Sequence, residues 1–501
     1  MAGQKFFDEI WGYSCGRKPR PGFEEIARWI RETPKPEMKR RQDSAEAAFR
    51  QLGITFNVYG EEEEAERIIP FDIVPRVFTH GEWQSLSEGL EQRVTALNMF
   101  LADVYTDRKI IADGVVPADL VLGNPGFTPV VNGRRPPHGI YAHIAGIDMV
   151  RTGPDEFYVL EDNARTPSGV SYMLENREAM LRLCPELFEI FEVEPVDRYP
   201  DALREMLHSV APDSASKEPT AVLLTPGHFN SAFYEHSFLA DNVGIELVEA
   251  ADLIVDDDIV WMRTIEGRKR VDVIYRRIDD DFLDPLMFRP DSMLGVPGLM
   301  AAYFAGNVTI ANAPGGGIAD DKAIYSFMPD IVKYYSGEEA KLPNVETWRC
   351  REEDALQYTL DNLEQLVVKK VDGSGGYGML VGPAATSAEV EEFRAVLKDN
   401  PGGYIAQPTL ELSTVPTLTE KGVKGRHVDF RPFVLSGADH VEIVPGGLTR
   451  VALVENSLVV NSSQGGGTKD SLVLRADSNP QRQSQSQAGQ SQSQSQARGA
   501  N

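Results

Sequence analysis

The chain is poor in the residues that react on their own. Its three cysteines, Cys15, Cys184 and Cys350, are odd in number and far apart. That rules out the paired spacing of a zinc site or a disulfide framework, and each is expected to be a plain thiol packed as a small hydrophobe. No apolar run approaches the ~20 residues of a membrane helix, and the opening MAGQKFFDEIWGY lacks the charged, apolar and small-residue regions of a secretory leader. A cytoplasmic protein that does not enter membranes is the expectation. Positive charge is also scarce. With 50 Lys and Arg against 76 Asp and Glu, the net charge of -26 repels a phosphate backbone, which speaks against general nucleic-acid binding. A local basic site for a nucleotide survives that argument, and amine substrates would be steered inward.

What is present suits a mixed globular protein. At 501 residues and 42% hydrophobic, the chain can bury two or three domains. Residues 1–120 read as mainly helical, with apolar residues at helical spacing in EWQSLSEGLEQRVTALNMFLADVYTD. In residues 121–310, TAVLLTPG reads as a buried strand, NSAFYEHSFLADN as a helix and GIELVEAADLIV as the next strand, followed by a hairpin from Val260 to Arg277. Residues 311–477 interleave Gly-rich loops with strands, and residues 478–501, rich in Gln and Ser, have too little to bury and read as a disordered tail.

The stretch YVLEDNARTPSG, Tyr158 to Gly169, carries the first chemical signal. Side chains alternate along a strand, so Glu161 and Asn163 share a face and Asp162 points away. Upstream lies IAGIDMV, joined through the turn formers of TGPDE. A turn between Pro154 and Asp155 sets Asp148 directly opposite Glu161, and like charges ~5 Å apart repel unless a cation stands between them. Two carboxylates and an amide oxygen are hard ligands of the kind that hold Mg²⁺ with substrate phosphates. A hairpin with its acids in water is the plain alternative.

The second signal is glycine. LVVKKVDGSGGYGMLV has strand residues on both sides of a glycine cluster, but lacks the Gly-Lys-Ser/Thr of a P-loop and the strand-to-helix setting of a dinucleotide fingerprint. Either it is an ordinary loop, or its bare amides cover phosphates with Lys369 reaching an oxygen. Lys322, after the Gly315–Gly317 run and at the start of the helical pattern DKAIYSFMPDIV, supplies a second lysine.

Taken together, Asp148, Glu161, Asn163, Lys322, and Lys369 before GSGG resemble the ATP-grasp fold with its usual order rotated, since the metal-like hairpin precedes both lysines. More closely, IPFDIVPRVF, EQRVTALNMFLADVY, VLEDNARTPSGVSYMLENR, DVIYRRIDDDFLDPL, HVDFRPFV, PGGLTRVA and NSSQGGGTKDS look like the circularly permuted ATP-grasp type 2 proteins, relatives of glutathionylspermidine synthetase, over nearly all of Phe6 to Leu474. The resemblance implies an α+β, circularly permuted ATP-grasp fold with a helical N-terminal region. It implies Mg²⁺ on Asp148, Glu161 and Asn163, ATP phosphates on Lys322 and Lys369, and a phosphate-covering loop of Gly373, Ser374, Gly375 and Gly376. It also implies Gln407 near the adenine, Arg165 facing the acceptor or γ-phosphate, and Arg431 and Arg450 as anion clamps.

Glutathionylspermidine synthetases carry an arginine where this chain has Gly146, and Gly-Arg-Glu-Gly where it has Gly373 to Gly376. The expected activity is an ATP- and Mg²⁺-dependent carboxylate–amine ligase joining a small or peptide carboxylate to an amine through an acyl phosphate. The alternatives are a nucleotide-binding partner subunit without turnover and a phosphotransferase. His228, His236 and Glu235 are expected in structural roles, and of Arg276 and Arg277 one is expected to face the cleft while the other points away.

Overall fold

The computed structural model describes residues 6–14, 18–53, 55–57, 66–373, 378–455, 457–460 and 465–476. Cys15, the glycine-loop residues Ser374, Gly375 and Gly376, and the C-terminal tail lie outside that set.

A nine-stranded sheet forms the centre. Its axis is the strand Ile144–Gly153, paired on one side with Glu156–Asn163 and on the other with Gly422–Arg431 and Phe433–Ser436, all antiparallel. Every residue of Ile144–Gly153 but Thr152 is buried, as a strand covered on both faces requires. The sheet continues through Leu448–Val451 and Gly467–Val473 to Phe71–Phe78, the last pairing being parallel. The N-terminal region contributes the helices Glu24–Glu32, Lys35–Leu52 and His80–Val104, with Phe71–Phe78 as a buried strand between them. Helix His80–Val104 starts at a reciprocal cap in which the Thr79 hydroxyl accepts from Glu82 N and Glu82 accepts from Thr79 N. Its buried residues Leu86, Leu90, Val94, Leu97, Leu101 and Val104 recur at three- and four-residue spacing, as an amphipathic helix demands.

A second, parallel sheet has the order Thr309–Ala311, Val273–Arg276, Ala221–Leu224, Glu246–Val248. The expected strand-helix-strand unit is there as Ala221–Leu224, helix Phe233–Val243 and Glu246–Val248. The expected hairpin is shorter than Val260 to Arg277: it pairs Ile259–Thr264 with Gly267–Arg270. The fully buried run Val273–Arg276 belongs instead to the parallel sheet, because a strand without polar alternation must be covered on both faces.

A third, small sheet of Trp348–Arg349, Tyr404–Pro408, Leu366–Lys370 and Leu380–Val381 is antiparallel. Helices Glu353–Asn362 and Ser387–Asp399 close its own core around Leu360, Leu363, Val368, Leu397 and Ala406. Val371 ties this lobe to the glycine-run segment, accepting from Lys322 N at 2.9 Å. No described helix is long and apolar enough to cross a membrane.

Candidate active site between the central and small sheets

The central and small sheets leave a cleft between them. One wall carries Asp148, Glu161, Asp429 and Arg450, the other Lys369 and Gln407, with Lys322 and Gly373 alongside. Val150, Leu160, Val367, Val381, Leu410 and Val460 make the remainder apolar. A cleft that combines apolar walls with ionic side chains suits a flat base joined to a charged chain.

The hairpin holds the register read from its turn. Asp148 pairs with Glu161, Gly146 with Asn163 and Gly153 with Glu156. The repulsion between the opposed acids is met by protein cations. Lys322 Nζ stands 2.9 Å from Glu161 Oε2 and donates to the Gly373 carbonyl at 2.7 Å. Asp148 lies between two guanidinium groups: Arg431 donates through Nε and through Nη2 at 2.8 Å, and Arg450 Nη2 donates at 2.7 Å. Burial alone would raise the Asp148 carboxyl, but the two arginines outweigh it and hold it well below the usual carboxylate range. The Asn163 amide nitrogen donates to Gly146 O at 3.2 Å.

Lys369 makes no ion pair among the described residues, although it faces Glu161 and Lys322. Desolvation pushes its ammonium down to about 8, with Lys322 adding to the effect and Glu161 opposing it. Gln407 is buried and donates to Thr347 Oγ1 at 3.1 Å.

Three expected residues stand apart from the cleft lining. Arg431 lies behind Asp148, its stem over Gly146: a Cβ at Gly146 would come 3.1 Å from Arg431 Cδ. The space that a side chain at 146 would fill is therefore taken by an arginine from the neighbouring strand. Asn163 sits at the foot of the hairpin. Arg165, 41% exposed, lies 3.4 Å from Asp279 and 3.6 Å from Asp320 on the parallel-sheet side. Asp320 also accepts from Ala164 N and Arg165 N, and burial raises its carboxyl to about 6.

The expectation for Arg276 and Arg277 is corrected, since neither reaches the cleft. Arg276 donates to the carbonyls of Asn312 and Ile278, and Arg277 to the Pro167 carbonyl and the Ser168 hydroxyl. Each guanidinium also has a carboxylate beside it, Asp280 at 2.5 Å from Arg276 and Glu235 at 3.2 Å from Arg277, so both are satisfied away from the cleft. Glu235 and His236 take the structural roles read for them. Glu235 accepts from Gly169 N and pairs with Arg277, and His236 Nδ1 meets Thr225 Oγ1 at 2.9 Å with burial lowering its imidazole to about 2. His228 makes a ring contact with Phe229.

Two features were not read from the sequence. Asp429, from HVDFRPF, lines the cleft and holds Arg450 through both oxygens at 2.6 to 3.1 Å. Asp162 forms a bidentate buried pair with Arg93 at 2.6 and 2.7 Å. Its outward direction was legible from alternation, but its partner on a distant helix was not.

Among the described residues no group of three or more His, Cys, Asp or Glu side chains could hold a metal by itself. The ionic groups that line the cleft are the carboxylates of Asp148, Glu161 and Asp429 and the cations of Lys322, Lys369, Lys370 and Arg450.

The profile of the circularly permuted ATP-grasp type 2 family matches residues 75–452. The chain belongs to that family. An uncharacterized protein of Synechocystis sp. is 49% identical over 473 residues, covering 94% of this chain and 98% of that protein. A putative glutamate–cysteine ligase of Frankia alni is 41% identical over 457 residues, which is 91% of this chain but 52% of that longer protein. Among solved structures, a glutathione synthetase-like effector from Globodera pallida superposes with a TM-score of 0.56 at 10% identity, covering 89% of this chain and 99% of that one. At that identity the likeness is one of fold. The matched region runs from the strand Phe71–Phe78 through Leu448–Val451, so it takes in the hairpin, both lysines and the small lobe of the permuted ATP-grasp arrangement.

Proposed function

We propose that this chain is an ATP- and Mg²⁺-dependent ligase that joins a carboxylate to an amine. The observation that carries this reading is the pairing of Lys322 with Glu161 and of Arg450 with Asp148 in a largely apolar cleft that Lys369 also lines, with Arg431 on Asp148 from behind. Lys322 and Lys369 take the phosphates, and Gly373 to Gly376 cover them. Gln407 and the apolar walls take the adenine. Asp148, Glu161 and Asn163 would hold Mg²⁺. Bound with the nucleotide, that ion would offset the charge that builds on the transferred phosphoryl group.

The chain's own side chains then work by placement and charge. A substrate carboxylate oxygen attacks the γ-phosphorus, the bond to the β-phosphate oxygen breaks, and ADP leaves an acyl phosphate. The amine attacks the acyl carbon, phosphate departs and the amine sheds a proton. Arg431 and Arg450 stabilise the anionic oxygens of both steps, and Arg165, at the head of the TPSG turn, receives the acceptor carboxylate. The Frankia relatives named putative glutamate–cysteine ligases support an amide-forming activity, although the chain spans about half their length.

Calorimetry with ATP and Mg²⁺ tests the nucleotide site: wild type binds, and Lys369→Ala binds at least tenfold more weakly. A mass-spectrometric search across amino acids, peptides and amines then looks for a product that requires ATP and an intact Glu161. No nucleotide binding by the wild type, or undiminished binding by Lys369→Ala, overturns the reading. ADP release with a stable phosphorylated product and no joined one would replace the ligase with a phosphotransferase.

A further inference from the structure

A second cavity, built from elements outside the cleft, gathers basic side chains on a chain whose net charge is -26. It holds about 510 Å³, within the ~300–1,000 Å³ of small-molecule sites. Its walls are Arg134, Arg135 and His138 from the segment NGRRPPHG, with Tyr303, Phe304 and Asp213 opposite.

Elsewhere on this acidic chain, several exposed arginines find carboxylates. Arg268 pairs with Asp256 at 2.7 Å and Arg289 with Asp291 at 2.9 Å. Arg134 and Arg135 have no ion pair and no side-chain hydrogen bond among the described residues, even with Asp213 on the same cavity. Instead the Arg134 guanidinium lies over the Phe304 ring at 4.0 Å, which holds its charge beside the cavity.

The segment that presents these groups is stiff. Pro136 is buried, Pro137 and Gly139 bound a 3-10 turn, and His138 is held at a φ of 57°, a left-handed value uncommon for a residue with a side chain. The Arg134 carbonyl accepts from the Tyr141 hydroxyl at 3.2 Å, and Tyr141 stacks on Tyr105. Two guanidinium groups and an imidazole thus line one cavity, that of Arg134 held against Phe304 before any ligand arrives. Bidentate guanidinium donors match phosphate oxygens, and a fixed geometry reduces the entropy lost on binding.

We infer that Arg134, Arg135 and His138 form a second anion site, for a small molecule bearing a phosphate group with at least two negative charges, separate from the nucleotide cleft. Calorimetric titration of the full chain with pyrophosphate, and in a second arm with ADP, tests it on the wild type, Arg134→Gln/Arg135→Gln and Lys369→Ala. The expected result is a binding event that the double variant weakens at least tenfold and that Lys369→Ala leaves in place. Both arginines are exposed, so the double variant should keep the wild-type melting temperature; if it does not, Arg135→Gln alone serves, with a smaller loss in the same direction. For the component that the arginine double variant removes, equal affinity in the two arms assigns the site to free phosphates, and tighter ADP binding assigns it to nucleotides. No binding by the wild type, binding abolished by Lys369→Ala alone, or wild-type affinity in the arginine variants overturns the inference.

Discussion

Lys369 can be tested through stability as well as through binding. Burial lowers its ammonium from 10.5 to about 8, a displacement of about 2.5 pH units, or roughly 3 kcal/mol at ~1.36 kcal/mol per unit. The unfolded chain binds more protons than the folded one between about pH 8 and 10.5, so stability rises across that window and the penalty stands in full below about pH 8. Lys369→Met keeps the stem and removes the charge. Because Lys369 is half-buried, we expect the variant to be about 2 to 3 kcal/mol more stable than wild type at pH 7, with the gap closing toward pH 10. Urea unfolding at pH 7, 8.5 and 10 measures it. A variant less stable than wild type at pH 7, or a gap that does not change with pH, refutes the argument. The same displacement requires ATP to draw a proton onto the wild type near pH 8 to 9, because phosphate favours the charged amine. Calorimetry in buffers of different ionisation enthalpy should show that uptake in the wild type and lose it in Lys369→Met.

Two further outcomes concern the frame around the site. Arg93→Ala leaves the buried Asp162 carboxylate without its bidentate partner, and should cost about 3–5 kcal/mol in urea unfolding, whereas Arg93→Met with Asp162→Leu should cost far less. Gly315→Ala places a methyl 2.8 Å from Tyr105 Cζ at a φ of +95°, and should lower stability by roughly 2–4 kcal/mol in a thermal or urea melt through overpacking and backbone strain together.

The carboxylate hairpin was legible because its information is local. A Gly-Pro turn sets the register, and two irregularities, between Arg151 and Gly153 and between Asp148 and Met149, offset one another so that Asp148 still opposes Glu161. The glycine-flanked strand Leu366–Lys370 and the unit at Ala221–Val248 were legible for the same reason. What closes the site is not local. Arg431 reaches Asp148 across 283 residues, Arg450 across 302 and Lys322 reaches Gly373 across 51, and no spacing rule joins residues so far apart. Asp429 sat inside a quoted motif, but only its position beside Arg450 makes it a member of the cleft. Arg276 and Arg277 were misread because alternation predicts opposite directions without saying that loops cover both ends of a parallel strand.

The charges at the cleft explain why its acids and bases are paired as they are. Three cations, Lys322, Arg431 and Arg450, meet Asp148, Glu161 and Asp429 in four ion pairs, and a buried cation without a counter-charge is costly. A triphosphate in the cleft would bring anionic oxygens to the same donors. Arg450 can keep Asp429, which holds it by both oxygens, and still exchange the single donor it gives to Asp148. Lys322 likewise gives one ammonium to Glu161 and to the carbonyl of Gly373. Phosphates that draw off those donors leave the opposed carboxylates short of positive charge at the place where Mg²⁺ would enter with the nucleotide. On the proposed reading nucleotide and cation would each be incomplete without the other, and Asp429 would keep Arg450 in position while its partner changes.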